Sequence, residues 1–497
     1  MNTLINCLPF HRHALALALA LAISPVHAGT INVGGTCTLA NAINNANTDS
    51  DTDGVGGCPA GSSADILRLK ANQTYTLNTV NNLNQGPNGL PSITSKITVN
   101  GNGAVIKRSN AADTPSFRLF RIGNNGNLIL NNLTVSGGKL EIDNFFDGYG
   151  AGVLNGSSLT LINSTIAGNA ALGTGALGSG IANGYKAVLA LNNSTVSGNQ
   201  GATALANIRG TTTLINSTVS GNHTINGGVA GIVNIETSTM TLINSTVSGN
   251  SSLDPAQYGI GAIQNSGTMA LVHSTVSNNR IAHGVNAGIQ NNGSLTLTNS
   301  LIANSTGGTD CFSAPAAITL RGTNLIEDGA CNAPLSGDPK LAPLLDNGGA
   351  TLTHALRNIS PAANVANTLC KKTDQRYVSR PQPIGGICDI GAFEQIKPIP
   401  ANIKTLINFF DAQVSGGGIV GIGSNPTYKL NAVRNQLLTA GDNKIASLNT
   451  QACSQLSKTL TRLDADNLPD KTDYATGSQI AALITQINAL RSAWVCQ

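Results

Sequence analysis

Charged and aromatic side chains are scarce in this sequence. Charged residues make up 10% of its 497 residues and aromatic residues 3%, whereas about a quarter of the residues in an ordinary soluble domain are charged. A nucleic-acid-binding protein needs clustered Lys and Arg and rings on which bases can stack. The composition and the small net charge of +4 therefore disfavour a nucleic-acid partner.

Long apolar runs are missing as well. The run Ala14–Ile23 has 10 residues, about half of what a membrane-spanning helix needs, so we expect no transmembrane segment. Basic residues precede this run, and Val26-His27-Ala28 resembles a signal-peptidase cleavage site. Residues 1–28 are therefore predicted to be a secretory signal peptide, and the protein to be secreted or displayed at the cell surface.

The cysteines agree with export. There are nine, and Cys7 lies in the predicted signal peptide. An even number of closely spaced cysteines indicates disulfides formed in an oxidising compartment. No C-x-x-C spacing occurs, which disfavours a zinc site. The disulfides predicted from proximity in the sequence are Cys37–Cys58, Cys311–Cys331, Cys370–Cys388 and Cys453–Cys496.

What the sequence has in abundance is a repeated phrase. Its cleanest copy is Leu242–Asn250, LINSTVSGN, and copies recur every 23 to 31 residues. Alternating apolar residues and β-branched residues predict short strands, and a loose period of this length predicts stacked coils that bury a Leu/Ile/Val column. The aligned polar residues are Asn132, Asn163, Asn193, Asn216, Asn244, His273 and Asn299.

The repeated Asn suggests a position where the chain bends. Asn tolerates left-handed backbone angles, and stacked amides can form a ladder between coils. We expect such a ladder, with His273 hydrogen-bonding in place of Asn. Glycosylation is the alternative, because Asn-Ser-Thr is also an acceptor sequence.

The N-terminal part predicts a cap. Leu39, Ala42, Ile43 and Ala46 share one face of a helix that would cover the open edge of the first coil. The loop after it carries alternating carboxylates followed by Gly54, which suggests either a structural Ca²⁺ site or a solvated polar loop. The candidate ligands are Asp49, Asp51 and Asp53, and no other cofactor is expected.

Two stretches resemble known bacterial families. Cys37, Leu39, Ala42 and Ile43 resemble the CSLREA motif of surface proteins. Residues 295–395, with Gly337–Leu344 and Cys388–Glu394 among their motifs, resemble the choice-of-anchor Q domain of secreted and surface proteins. The resemblance implies a right-handed parallel β-helix of the pectin-lyase-like superfamily, with no catalytic residues attached to the signature.

These patterns predict a mainly β protein: a parallel β-helix with an N-terminal helical cap and a small C-terminal α-helical bundle. Helical periodicity begins after the Pro-rich stretch at residues 397–400. The predicted divisions are a signal peptide (1–28), an N-terminal cap with a disulfide loop (29–65), β-helix repeats (66–310), choice-of-anchor Q-like terminal coils and cap (311–395), a linker (396–401) and a helical domain (402–497). We expect a monomer.

The candidate binding residues are few. Phe145, Phe146 and Tyr149 put aromatic rings in the longest repeat gap, where they would stack on a sugar, anchor a partner or pack back on the coil. A cluster of acids follows the repeats, and these would serve either catalysis or pairing with Arg376, Arg380 and backbone N–H groups. The acids are Asp310, Asp328, Asp338, Asp346, Asp374, Asp389 and Glu394.

Three functional hypotheses follow. Between Gly150 and Thr309 the sequence has only five charged residues apart from His, too few for the paired carboxylates of a glycosidase or the bases of a lyase. We therefore expect a protein that is not an enzyme and that serves adhesion or an extracellular scaffold, with a glycan or a cell-surface protein as partner. The alternative is a polysaccharide-binding or polysaccharide-degrading β-helix, a lyase or glycoside hydrolase. The third is a hydroxyl face for glycan or ice, formed by Thr165, Thr195, Thr218, Thr246 and Thr275.

Overall fold

The structure is a computed structural model. It describes residues 29–49, 54–141, 147–225, 227–313, 317–357, 359–382, 386–396, 401–446, 448–464 and 472–496. The predicted signal peptide lies outside the described residues.

Parallel strands coil into a β-helix, as predicted. Each complete coil passes through four faces, and strands of successive coils pair in parallel on each of them. The copies of the phrase stack in register, so that Leu214 pairs with Leu242 and Leu242 with Leu271. These leucines are fully buried, and they form the predicted apolar column.

The strands are grouped by face. Face 1 comprises Phe120–Ile122, Val153–Asn155, Ile181–Asn183, Leu205–Ile208, Ile232–Ile235, Ile263–Asn265, Asn286–Asn291 and Thr309–Ser313. Face 2 comprises Thr30–Asn32, Ala64–Arg68, Ser158–Ile162, Val188–Asn192, Thr211–Ile215, Thr239–Ile243, Thr268–Val272, Ser294–Thr298 and Ile318–Arg321. Face 3 comprises Thr74–Leu77, Thr165–Ala167, Thr195–Ser197, Thr218–Ser220, Thr246–Ser248, Thr275–Ser277, Leu301–Ala303 and Leu325–Ile326. Lys96–Arg108 and Asn127–Ser136 run through both face 2 and face 3. Face 4 comprises Lys139–Leu140, Ala170–Ala171, Gln200–Gly201, His223–Thr224, Ser251–Ser252 and Arg280–Ile281.

The bend between faces 2 and 3 is where the repeated Asn lies. All seven aligned residues, from Asn132 to Asn299, have φ between +45° and +53°, as predicted for a left-handed bend. Among the described residues their side chains form one contact of the predicted ladder: the Asn299 amide nitrogen lies 3.2 Å from Nε2 of His273, so His273 hydrogen-bonds in place of Asn as predicted. The ladder does not continue along the column. Asn163 is exposed, and the Asn244 amide donates to the carbonyl of Thr373, which lies outside the coils. The prediction of a continuous ladder is wrong for this position because a left-handed bend turns the side chain outward.

Two other columns of Asn form the ladders. In each column the side-chain amide donates to the side-chain oxygen of the next Asn, at 2.6 to 2.8 Å in the first column and 2.8 to 3.0 Å in the second. All of these residues are buried. The first column ends the face 1 strands, and it consists of Asn155, Asn183, Asn207, Asn234, Asn265 and Asn291. The second lies between faces 3 and 4, and it consists of Asn169, Asn199, Asn222, Asn250 and Asn279.

The predicted helical cap is helix α1, Leu39–Thr48. Thr38 caps its first turn by accepting a hydrogen bond from the Asn41 N–H, and the four predicted apolar residues are buried. Asn47 fastens the helix to the coil below, since its amide donates to the carbonyl of Ser92 and its oxygen accepts from the Thr94 N–H. The cap thus packs on the first complete coils.

Residues 337–396, here called the strap, run back along the outside of face 3. A hairpin of Leu341–Leu345 with Thr353–Leu356 opens the strap, after a short 3₁₀ turn at Ala330–Asn332. Apolar residues Leu356, Ile390 and Phe393 pack with Leu301 and Leu325 of face 3. The sequence predicted terminal coils and a cap in this part of the chain. The coils end with Leu325–Ile326, and the strap covers the side of the helix.

The C-terminal residues form the predicted helical bundle. Its helices are α2 Ala401–Ser415, α3 Pro426–Ile445, α4 Asn449–Leu460 and α5 Ile480–Ala493, with a two-stranded sheet of Val420–Gly421 and Ala475–Thr476. The bundle has its own apolar core, in which Phe410, Leu437, Leu456 and Ile487 are buried. The described helices include none that is long and apolar enough to cross a bilayer. All four disulfides pair as predicted.

Candidate functional site

Four of the predicted site residues lie outside the described part of the chain. Phe145 and Phe146 do, and so do Asp51 and Asp53. Asp49 ends helix α1 in a left-handed conformation with φ of 46°. The described residues hold no group of three or more potential metal ligands, and the calcium site stays a prediction.

Tyr149 is held in place by a buried arginine that the sequence did not single out. The Arg118 guanidinium is fully buried and donates to the carbonyl oxygens of Tyr149, Asp147 and Gln85 and to the side-chain oxygen of Asn88. Burial lowers the pKa of Arg118 to about 9. Five donors on a planar group suit convergent carbonyls, so Arg118 orders two loops at once.

A concavity lies on the outer surface of face 1. Ile232 and Asn234 point into the coil and are fully buried, so alternation places Val233 between them on the outer side. Gln264 is its register partner in the next coil. A cavity of about 570 Å³ opens over this pair, and we call it the groove.

Loops of four successive coils wall the groove. Each loop precedes a face 1 strand, and the four are residues 172–177, 201–203, 227–229 and 254–257. The coils are about 4.8 Å apart, so the groove extends over about 14 Å along the helix axis. A short parallel pairing of Gly228–Val229 with Gly259–Ile260 holds the last two loops together. The groove therefore suits an extended ligand lying along the axis.

Glycine residues allow the loops that form the groove walls to lie close together. Gly201 and Gly227 have φ of 93° and 73°, angles that a residue with a Cβ rarely adopts. A Cβ at Gly227 would also collide with Gln257, on the neighbouring loop. The loops can fold close together only because these positions lack side chains.

The polar lining of the groove is neutral except at one residue. Asp254 is the one ionisable side chain among the described lining residues, and its carboxylate accepts a hydrogen bond from the Ala256 N–H at 2.8 Å. Gln257 and Gln264 line the same cavity. Tyr149 precedes Gly150, whose N–H donates to the carbonyl of Leu177, a wall residue. Tyr149 itself is not among the described residues that line the cavity.

The predicted acid cluster divides into three sets. Asp310 and Asp328 line a second cavity of about 560 Å³ together with Glu327, a carboxylate that the sequence analysis did not name. Asp310 and Asp328 each accept a hydrogen bond from the other's backbone N–H. Burial, which outweighs these hydrogen bonds, raises the pKa of Asp310. We call this the acidic cavity.

The second set of acids stabilises the strap, as the alternative interpretation predicted. Asp374 pairs with Arg376, and Glu394 pairs with Arg380 at 2.8 Å with both side chains fully buried. Burial and the neighbouring charge of Asp389 raise the pKa of Glu394 to about 7, against the opposing effect of Arg380. The remaining acids are exposed: Asp338 pairs with Lys340, and Asp346 accepts from the Gly348 N–H.

The hypothesis of a flat hydroxyl face is corrected by the strap. Thr218, Thr246 and Thr275 are in register on face 3, but the strap buries all three. The Thr246 hydroxyl donates to the side-chain oxygen of Gln375, and Thr275 accepts from the Ala392 N–H. Only Thr165 and Thr195 stay partly exposed, too few for the proposed array.

The architecture is thus that of a parallel β-helix. Among solved structures, this chain is similar to the crystal structure of the pectate lyase Pel9A, with a TM-score of 0.38 and 13% sequence identity over 67% of this chain and 88% of that one. At this level the similarity concerns the fold alone. No protein-family model matches the sequence, and no curated protein matches it. The choice-of-anchor Q and CSLREA resemblances therefore stay predictions.

This comparison overturns one expectation. The scarcity of ionisable residues in the repeats predicted that the chain is not an enzyme. The solved structure reported above is that of an enzyme, a pectate lyase. The argument from scarcity surveyed residues 150–309, whereas the acidic cavity also draws on Asp310, Glu327 and Asp328.

Proposed function

We propose that this chain is an extracellular polysaccharide-binding protein that holds an extended glycan in the groove on face 1. The observation that carries the proposal is a groove lined by residues from four successive coils, among them Gln257 and Gln264. Sugars present rows of hydroxyl groups, each of which both donates and accepts hydrogen bonds. Amide side chains do the same, and rigid coils hold them at a fixed spacing.

Two features support the extracellular part of the proposal. The cap, the last coils, the strap and the helical bundle each contain one disulfide. Disulfides persist in oxidising compartments. The N-terminal residues have the pattern of a secretory signal. Adhesion to a cell is one use of such a groove, and it requires a glycan at the surface of the target cell.

A binding screen with matched variants tests the proposal. The purified protein is applied to a glycan array, and hits are measured by calorimetry with the wild type and with Gln264→Ala. The control is Gln290→Ala, because Gln290 occupies the register position next to Gln264 on face 1 and does not line the groove.

We expect glycan affinity to fall about tenfold in Gln264→Ala, since one good hydrogen-bonding group contributes on the order of 1.4 kcal/mol. Gln290→Ala should bind as the wild type does. If both variants lose affinity equally, or if neither variant changes the affinity, the glycan binds elsewhere and the groove is not the binding site.

Polysaccharide degradation at the acidic cavity is the second candidate. The specific observation is Asp310, a carboxyl group whose pKa burial raises, beside the carboxylates of Glu327 and Asp328. Glycoside hydrolysis needs one carboxyl group that stays protonated and a second that is ionised. In this arrangement Asp310 would protonate the leaving oxygen, and Glu327 would activate water or attack the sugar.

The measurement for this candidate is release of reducing ends from the glycans that bind. Asp310→Asn and Glu327→Gln should each reduce the rate by at least about a hundredfold. Asp338→Asn is the control, because Asp338 is exposed and pairs with Lys340. A rate that all three variants share with the wild type would exclude the cavity as the site.

A further inference from the structure

The lining of the groove also indicates which class of polysaccharide it takes. We propose that the groove selects neutral polysaccharides and rejects polymers of acidic sugars. This inference rests on the proposed function, because it presupposes that the groove binds a glycan. It goes further in naming the charge class of that glycan and the residue that sets it.

The first argument is the charge of the site. The described lining residues include no Lys, Arg or His, and their one ionisable side chain is Asp254. Its bond from the Ala256 N–H fixes one carboxylate oxygen and keeps the negative charge at the wall. An acidic sugar brings a carboxylate into the same partly closed space, where like charges repel more strongly than in open water.

The second argument is the position of the basic residues. Lys186 and Arg209 follow their face 1 strands, whereas the groove loops precede those strands. A face 1 strand of three to four residues separates the two edges by about 10 to 13 Å, roughly one Debye length at physiological salt. Arg209 is also paired with Glu236. Neither cation is placed to offset Asp254.

Two further arginines lie nearer the ends of the groove. Arg121 is on the outer side of the first face 1 strand, where its guanidinium donates to the side chains of Gln85 and Ser92. Arg280 is on face 4, paired in register with Ser251. Neither lines the cavity, so neither offers a carboxylate a direct partner within it.

The third argument is the match of hydrogen-bonding groups. A carboxylate only accepts hydrogen bonds, and it is recognised by fixed donors such as guanidinium groups. The amides of Gln257 and Gln264 offer a donor and an acceptor each. The Gln264 side chain lies half-buried at the floor of the groove. Among the described residues it makes no hydrogen bond. Such a group suits a neutral hydroxyl, which needs both kinds of partner.

Calorimetry with defined oligosaccharides tests the inference. The probes are neutral tetrasaccharides of glucose, xylose and mannose, and tetragalacturonate as the acidic counterpart, all at pH 7 in EDTA and again in calcium. The variants are Asp254→Asn, which removes the charge and keeps the shape, Gln264→Ala, and the control Gln290→Ala.

We expect at least one neutral tetrasaccharide to bind, and tetragalacturonate to bind at least about tenfold more weakly. Asp254→Asn should strengthen tetragalacturonate binding roughly fivefold and change neutral binding less than about twofold. Raising the salt concentration should reduce the difference in affinity between neutral tetrasaccharides and tetragalacturonate in the wild type. It should leave that difference unchanged in Asp254→Asn.

The two proposals fail in different ways. Tetragalacturonate binding that equals or exceeds neutral binding, in EDTA or in calcium, and that Gln264→Ala weakens, overturns the charge selection and leaves the groove as the glycan site. Binding of neutral sugars that Gln264→Ala does not weaken overturns the proposed function itself. A complete lack of saccharide binding does the same.

Discussion

The hydroxyl of Ser248 on face 3 lies 2.8 Å from Nε2 of His354 in the strap. Nδ1 of the same ring lies 2.7 Å from the carbonyl oxygen of Ala342. A carbonyl only accepts, so Nδ1 carries the proton and Nε2 accepts from Ser248. Both residues are buried, and the strap is thus held to the coil by a histidine whose charged form is disfavoured by burial, which lowers its pKa.

Acid should therefore loosen the strap. Burial, together with the charge of Arg380, lowers the pKa of His273 to about 3, and burial lowers that of His354. Below pH 6.5 the unfolded chain binds protons that the folded chain does not, so stability falls as the pH drops from about 6.5 toward 3. Each such site contributes at most about 1.4 kcal/mol per pH unit.

The variant His273→Asn isolates one part of this effect, because Asn occupies the equivalent bend in the other coils. Urea denaturation at pH 7, 5.5 and 4 should give a shallower loss of stability for the variant than for the wild type. Parallel pH dependences would show that His273 does not carry the effect.

Gln375 is predicted to be a main anchor of the strap. Its side-chain amide donates to the hydroxyls of Thr218 and Thr351, and its oxygen accepts from Thr246. Gln375→Ala would leave the buried Thr246 hydroxyl without its acceptor and would remove the amide donors from Thr218 and Thr351, whose hydroxyls still donate to the carbonyls of Leu352 and Asn216. The change should cost about 1 to 3 kcal/mol. Gln382→Ala is the control, because the Gln382 side chain bonds only the carbonyl of Ser379 at the surface. Limited proteolysis of the strap and urea denaturation measure the difference, and equal stability of the two variants would contradict it.

The buried Asn columns should matter more than the repeated Asn at the bend. The Asn222 oxygen accepts from both the backbone and the side chain of Asn199, and its amide donates to Asn250. Asn222→Ala should therefore destabilise the protein by about 3 kcal/mol. Asn163→Gly keeps the left-handed bend at an exposed position and should cost less than about 1 kcal/mol. Thermal denaturation of the two variants shows which substitution costs more stability. A larger loss in Asn163→Gly than in Asn222→Ala would refute the assignment of the ladders.

Arg118 should be intolerant of a conservative change. Lys keeps the charge but offers neither the planar shape nor the number of donors that serve Tyr149, Asp147, Gln85 and Asn88. We expect Arg118→Lys to cost about 3 kcal/mol and to speed proteolysis near residue 147. Arg121→Lys, at a more exposed arginine three residues further along the chain, is the matched comparison. If Arg118→Lys resists the protease as well as the wild type does, the loops are ordered without the Arg118 guanidinium.

The sequence predicted the coils well because their cause is local and repeated. Alternation within the phrase defines the inward residues, and the period aligns Leu214 with Leu242. It did not separate the bend Asn from the ladder Asn, because both recur at the same period and differ only in the direction of the side chain. The path of the strap was not predictable either. Gln375 and Thr218 are 157 residues apart, and no periodic pattern links them. The groove arises from glycine-rich loops without a motif.

The strap also changes how the β-helix comes apart. In a solenoid each coil contacts only its neighbours, so coils can peel away one at a time from an end. Here Tyr377 bonds Asn193, Thr373 bonds Asn244 and Thr368 bonds Asn299, which joins distant coils directly. Peeling the last coil would also pull on contacts in the middle of the stack. The coils between Asn193 and Asn299 should therefore be lost together, in one cooperative step, when the protein is pulled or heated.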